Sequence, residues 1–88
     1  MAADIVDVTT STTPKVLYKC RVPSGVTFYW STAGNPGEIY LGGPNVATHS
    51  YVLYLDKKAS GTFFIPYGET VYCVSAAGGD TVHGGCWV

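Results

Sequence analysis

The sequence predicts an all-β fold, a small antiparallel β-sandwich or jelly-roll-like barrel of seven to eight short strands. Three observations predict it. Short runs rich in Val, Ile, Tyr, Phe and Trp recur at regular spacing, each closed by a turn of Gly, Pro, Asn or Asp. No window shows a helical apolar period with capping residues at its ends. Glycine, proline and β-branched residues interrupt every stretch that would otherwise compete as a helix.

Residues 1–14 read as an extended N-terminal arm or edge strand, ahead of a single sandwich domain over 15–88. The run Thr9-Thr10-Ser11-Thr12-Thr13 favours extended backbone, and Pro14 biases Thr13 away from helix. Ile5, Val6 and Val8 are the only large apolar side chains there, too few for an independent element. They are expected to dock on a neighbouring subunit or another protein of an assembly, in the way an extended arm bonds to an exposed strand edge.

Val16 to Val22 is a clearer strand, with Val16, Tyr18, Cys20 and Val22 on one face and Lys19 and Arg21 on the other. Beyond a Pro23-Ser24-Gly25 turn, Val26 to Trp30 repeats the alternation, and the two runs read as a hairpin. Ser31 to Gly37 is a loop and Glu38 to Leu41 a short strand. That strand closes on a turn in which Gly42 and Gly43 permit angles a side chain forbids, while Pro44-Asn45 fits a tight reversal. Val46 to Ser50 is irregular, and Tyr51 to Leu55 is a strand apolar on both faces. Asp56 to Gly61 turns the chain into Thr62 to Ile65. Pro66 and Gly68 then reverse it before Thr70 to Val74. After the Ala77-Gly78-Gly79-Asp80 turn, Thr81 to Val88 is a weaker last strand, interrupted by Gly84-Gly85.

A chain of this size buries only about 60–65% of its unfolded surface. Charged residues are 12% of it, against about 25% in ordinary soluble domains. Hydrophobic residues are 47%, aromatics 14%, and seven residues are tyrosine, so Thr, Ser, Gly, Asn and Tyr must cover the surface. Part of that surface is therefore expected to be buried in a homo-oligomer or larger assembly, which a net charge of −1 opposes only weakly. Neighbours such as Tyr29 and Trp30 cannot share a face, so about half of the aromatics point outward. Outward Tyr and Trp are enriched at interfaces, and Tyr29, Tyr54 and Trp87 are the aromatic interface candidates.

Several classes of chemistry are unsupported. Lys15, Lys19 and Arg21 on one segment and Lys57-Lys58 in a turn fall short of the broad basic patch that nucleic-acid binding wants. No apolar run approaches the length of a membrane helix, and the first residues lack the basic start and apolar core of a signal peptide. Cytosolic synthesis and wide spacing favour free, packed thiols for Cys20, Cys73 and Cys86, with Cys20 in the core and no metal site or cofactor. Asp4, Asp7, Glu38, Asp56, Glu69 and Asp80 show no paired placement, and neither a nucleophile elbow nor a phosphate loop is present. No catalytic residue is assigned to His49, His83 or any other position, and an enzyme is not expected.

The order of two punctuated units then carries a resemblance. Ile39-Tyr40-Leu41-Gly42-Gly43 leads to Asn45-Val46-Ala47-Thr48, and Pro66-Tyr67-Gly68-Glu69-Thr70-Val71-Tyr72-Cys73-Val74-Ser75-Ala76 leads to a Gly-rich turn and a last strand. This resembles the small all-β virion proteins of tailed bacteriophages, in which a "YLGG" and a "PxGETxYxV" segment recur. The likeness spans roughly Val16 to Val88 as a pattern. It implies a structural role without catalysis, as a homotrimeric capsid decoration (cement) protein of the virion, bound to the major capsid protein or another virion protein. The three cysteines and the aromatic Tyr51 to Leu55 segment depart from that pattern and leave the head or the tail as the surface occupied. The alternative is a receptor- or glycan-binding module of a phage tail or fibre. An exposed Trp with nearby carboxylates in a concave face favours glycan; a flat apolar patch with an ordered N-terminal segment favours lattice docking.

Overall fold

The structure is a computed structural model that describes residues 2–35 and 37–88. Eight strands follow one another along the chain: β1 (Ala3–Thr9), β2 (Lys15–Lys19), β3 (Val26–Ser31), β4 (Ile39–Gly42), β5 (Leu53–Leu55), β6 (Ser60–Ile65), β7 (Thr70–Val74) and β8 (Thr81–Trp87). They form two four-stranded sheets of order β1-β8-β3-β6 and β2-β7-β4-β5. The pairings nest: β4 with β5, β3 with β6, β2 with β7 and β1 with β8, all antiparallel. One long hairpin has thus been rolled into two facing sheets, which is the jelly-roll arrangement. The molecule is a plate of 35 × 26 × 16 Å.

Alternation along the strands supplies the core. Phe28, Ile39, Leu41, Leu55, Ile65 and Val82 are fully buried between the sheets, with Cys20 and Cys73 among them. The Phe28 ring lies 5.6 Å from Tyr18 and 5.3 Å from Phe63, so one aromatic stack crosses from sheet to sheet. Cys20, Cys73 and Cys86 are all buried free thiols. Burial raises the Cys73 thiol to about 11, an effect the Lys15 charge partly offsets. The buried polar residues Thr10, Thr32, Asn35, Ser75 and Asp80 staple loops to strands. The Asn35 side chain brackets Thr81, donating to its carbonyl at 2.6 Å and accepting its N–H at 3.1 Å. The Thr10 hydroxyl donates to the Asp80 carbonyl at 2.8 Å.

The structure corrects five local expectations. Of the two readings of the N-terminal segment, residues 3–9 take the edge strand and not the arm outside the domain: β1 pairs with β8 over its whole length at the edge of its sheet, and Ala2 and Val88 exchange backbone hydrogen bonds beyond it. The reason is the inward side of β1, where Val6 and Val8 pack on the same core as the rest. The face of β2 is also not the simple alternation Val16, Tyr18. An irregularity between those residues turns Leu17 inward, leaving it 4% exposed, and pushes Val16 out. The β2–β3 hairpin does not form, because the two strands lie in opposite sheets. Facing one another across the core, as Tyr18 and Phe28 do, buries both apolar rows together. The strand expected over Tyr51 to Leu55 is only Leu53–Leu55; an Ala47–Ser50 bridge holds the preceding loop, and Tyr51 and Val52 stay exposed. Finally, β8 is the paired interior strand of its sheet and not a weak end. Gly84 is required there, since a Cβ would lie 2.0 Å from the Tyr29 carbonyl oxygen.

Candidate functional site

The site is built on the outer face of β1-β8-β3-β6. Register places Gly85 of β8 between Ile5 of β1 and Tyr29 of β3. Because glycine contributes no side chain, the strand backbone is bare at that point. Ile5 (82% exposed), Tyr29 (50%) and Trp87 (61%) stand around it. Their side chains wall a shallow hollow of about 200 Å³ whose floor is the Gly84–Cys86 backbone. Phe64 on β6, 60% exposed and opposite Thr27, continues the same apolar face toward the Gly25 turn. At the other margin the Tyr18 hydroxyl donates to Asp4 Oδ2 at 2.8 Å. Burial, and then hydrogen bonds with Cys86 and Asp4, raise the Tyr18 phenol well above its ordinary range. It stays a donor, and the Asp4 carboxylate is held against the sheet.

Next to the hollow lies a row that the sequence order hides. Asp7, His83 and Ser31 sit opposite one another on β1, β8 and β3. His83 Nδ1 is 2.7 Å from Asp7 Oδ1, both side chains more than half exposed. The third member is not engaged: the Ser31 hydroxyl accepts the Ala33 N–H at 3.3 Å, and no hydrogen bond joins it to His83 among the described residues. The row stands on an open sheet face without a cleft. An orienter and a base are therefore present without an activated nucleophile. Sequence reasoning missed this row because positions 7, 31 and 83 share nothing until the register is known.

The outer face of β2-β7-β4-β5 is aromatic in a different way. Tyr40, Tyr51 and Tyr54 form a cluster with ring centroids 5.0, 5.6 and 6.2 Å apart. The Tyr54 hydroxyl donates to Glu38 Oε1 at 3.3 Å and to Asp56 Oδ1 at 3.4 Å. Its phenol is pushed up to about 12, first by desolvation and then by the Asp56 and Glu38 carboxylates.

Of the residues singled out in the sequence, Ile5, Tyr29 and Trp87 converge on one hollow. Val6 and Val8 point into the core, and Tyr54 is on the opposite sheet. Gly42, Gly43 and Pro44 do form a tight turn, closed by the Val46 N–H to the Gly43 carbonyl at 3.0 Å. Neither glycine has a positive φ; Gly42 matters through close contact, its missing Cβ lying 3.2 Å from Val46. Pro66 and Gly68 close the other turn, with the Glu69 N–H on the Pro66 carbonyl at 3.2 Å and Gly68 at φ +86°. Among the described residues, no group of three or more His, Cys, Asp or Glu is placed to hold a metal ion, and no helix is long and apolar enough to cross a membrane.

Comparison with protein families, with curated proteins and with solved structures finds no match for this chain. What the fold and the site define is a small all-β jelly-roll module with an aromatic, nearly uncharged outer face.

Proposed function

We propose that this protein is a non-enzymatic structural protein of a bacteriophage virion, a capsid decoration protein that binds and stabilises the lattice of the major capsid protein. The observation that carries the reading is the contiguous outward face of Ile5, Tyr29, Trp87 and Phe64 on a chain with so few charges. Apolar patches rimmed by polar residues mark interaction surfaces, and buried aromatic anchors supply most of the energy of such contacts. The paired N-terminal strand and the shallowness of the hollow, about 200 Å³, favour docking on a broad surface over enclosing a small ligand. Jelly rolls serve as viral capsid and as lectin domains alike, so the fold enters only as analogy. The protein acts on the particle as a homo-oligomer, for which the resemblance implies three copies.

The test is rebinding of purified protein to particles that lack it. The double substitution Tyr29→Ala, Trp87→Ala is expected to abolish binding while leaving the far-ultraviolet spectrum unchanged. Wild-type binding by that folded variant overturns the proposal. A second reading has its own observation. The Tyr40–Tyr51–Tyr54 cluster, in which Tyr51 and Tyr54 are exposed and Tyr40 is half-buried, is flanked by Glu38 and Asp56 and offers ring faces and hydrogen-bond acceptors to a sugar. Loss of host-cell or glycan binding in Tyr54→Ala, with particle binding intact, selects that reading.

A further inference from the structure

We infer that β6 is the edge through which two copies of this chain pair, antiparallel, about a two-fold axis. This pairing does not depend on the proposed role, and it replaces the three copies that the resemblance implies with two. A strand edge presents unpaired N–H and C=O groups to any other chain, and natural sheets blunt their edges with charge, irregularity or brevity. The two sheets have four edges, β1, β6, β2 and β5. Three of them are blunted. β1 carries Asp4 and Asp7. β2 carries Lys15 and Lys19 and has the irregularity between Val16 and Tyr18. β5 is only 3 residues long. β6, Ser60-Gly61-Thr62-Phe63-Phe64-Ile65, has 6 residues, an unbroken register with β3, no charge and no proline.

The direction of its free groups follows from its start. Ala59 turns both its C=O and its N–H toward Thr32, at 2.8 and 3.1 Å. Alternation along an antiparallel strand then leaves the backbone groups of Ser60, Thr62 and Phe64 on the open edge. A two-fold axis through Thr62 sets Thr62 opposite its own symmetry mate and Ser60 opposite Phe64 of the second copy. The contact is self-complementary, and no like charges oppose one another across it, which is the usual obstacle to pairing a strand with itself. A ring of three would require β6 to meet a different surface on its neighbour; the two-fold contact requires only β6.

The surroundings of the edge also favour a second copy. The two sheets part beside the end of β6, leaving an apolar hollow of about 490 Å³ lined by Leu41, Leu53, Phe63, Ile65 and Val71. Val52 at its mouth is 88% exposed and Phe64 is 60% exposed. With Thr62 on the axis, the partner's Ser60 comes beside Phe64 at this end of the edge, and the partner's own Phe64 comes beside Ser60 at the other.

Light scattering on the full chain tests the inference. The expected mass is twice the 9.3 kDa of one chain at high micromolar concentration. Thr62→Pro removes an N–H that serves no bond within the chain and is expected to halve the mass with an unchanged circular-dichroism spectrum. Thr62→Lys places like charges face to face and is expected to do the same if the proline variant fails to fold. Thr62→Cys is expected to give a disulfide-linked dimer under mild oxidation, while Thr9→Cys on β1 does not, the native thiols being buried. A wild-type chain of single mass at millimolar concentration overturns the inference. So does a dimer or trimer whose mass survives both folded Thr62 variants.

Discussion

The two outer faces of this sandwich hold similar numbers of aromatic rings and use them differently. On β2-β7-β4-β5, Tyr40, Tyr51 and Tyr54 lean on one another, and Tyr54 directs its hydroxyl to Glu38 and Asp56. On β1-β8-β3-β6, Tyr29, Phe64 and Trp87 stand apart around bare glycine backbone, without ring partners among the described residues. Rings that pack on each other stabilise the fold that carries them. Rings that stand alone keep their contact free energy for something else. On the proposed function, the tyrosine face serves stability and the glycine-floored face serves docking.

The largest effects break the sheet under the docking face. Removal of residues 2–9 strips Val6 and Val8 from the core and leaves β8 unpaired on one side. The truncated chain is expected to lose its cooperative thermal transition; a melting curve equal to that of the full chain shows that β1 is separable after all. Gly84→Val drives a side chain into the Tyr29 carbonyl and is expected to cost about 3 kcal/mol or more, whereas Gly43→Ala, with open space around it, is expected to stay within about 0.5 kcal/mol. Urea unfolding of both variants checks the contrast.

An intermediate effect comes from pH. The folded Cys73 thiol sits at about 11 against an ordinary 9.0, so the unfolded chain releases its proton first as pH rises. Stability from this group is complete below pH 9 and is lost between there and about 11, amounting to about 2–3 kcal/mol. The raised Tyr18 phenol acts in the same sense at the alkaline end. Cys73→Ala is expected to flatten the fall in unfolding free energy between pH 9 and 11; an unchanged slope assigns it elsewhere.

Smaller effects separate the faces directly. Tyr40→Ala removes two ring contacts and is expected to cost about 1–2 kcal/mol. Trp87→Ala is expected to change stability by less than about 0.5 kcal/mol while weakening particle binding. Equal stability losses in the two variants erase the distinction between the faces. The smallest signal is spectroscopic: Tyr54 is expected to ionise near pH 12, and Glu38→Gln with Asp56→Asn to move its absorbance midpoint downward.

Much of the fold could be read from local pattern. Val26 and Phe28, Ile39 and Leu41, and Leu53 and Leu55 alternate inward as the spacing requires, because side-chain direction in a strand has a period of 2 that any sequence displays. The turns at Pro44-Asn45 and at Pro66 to Gly68 were equally legible in position, and Gly68 takes the positive φ that favours glycine, whereas Gly42 and Gly43 do not. The irregularity that turns Leu17 inward and Val16 outward left no such mark, for it depends on how β2 meets β7.

The sequence by itself therefore determined the all-β class, the turn positions, most of the core and the scarcity of charge. The tertiary structure decided which strands pair. That placed Ala3–Thr9 in a sheet, set β2 and β3 on opposite sides of the core, and brought Ile5, Tyr29 and Trp87 around Gly85. The physical reason is range. Alternation and turn chemistry act between neighbours a few residues apart, whereas the pairing of β1 with β8 joins the two ends of the chain and forms only when the core between the sheets does.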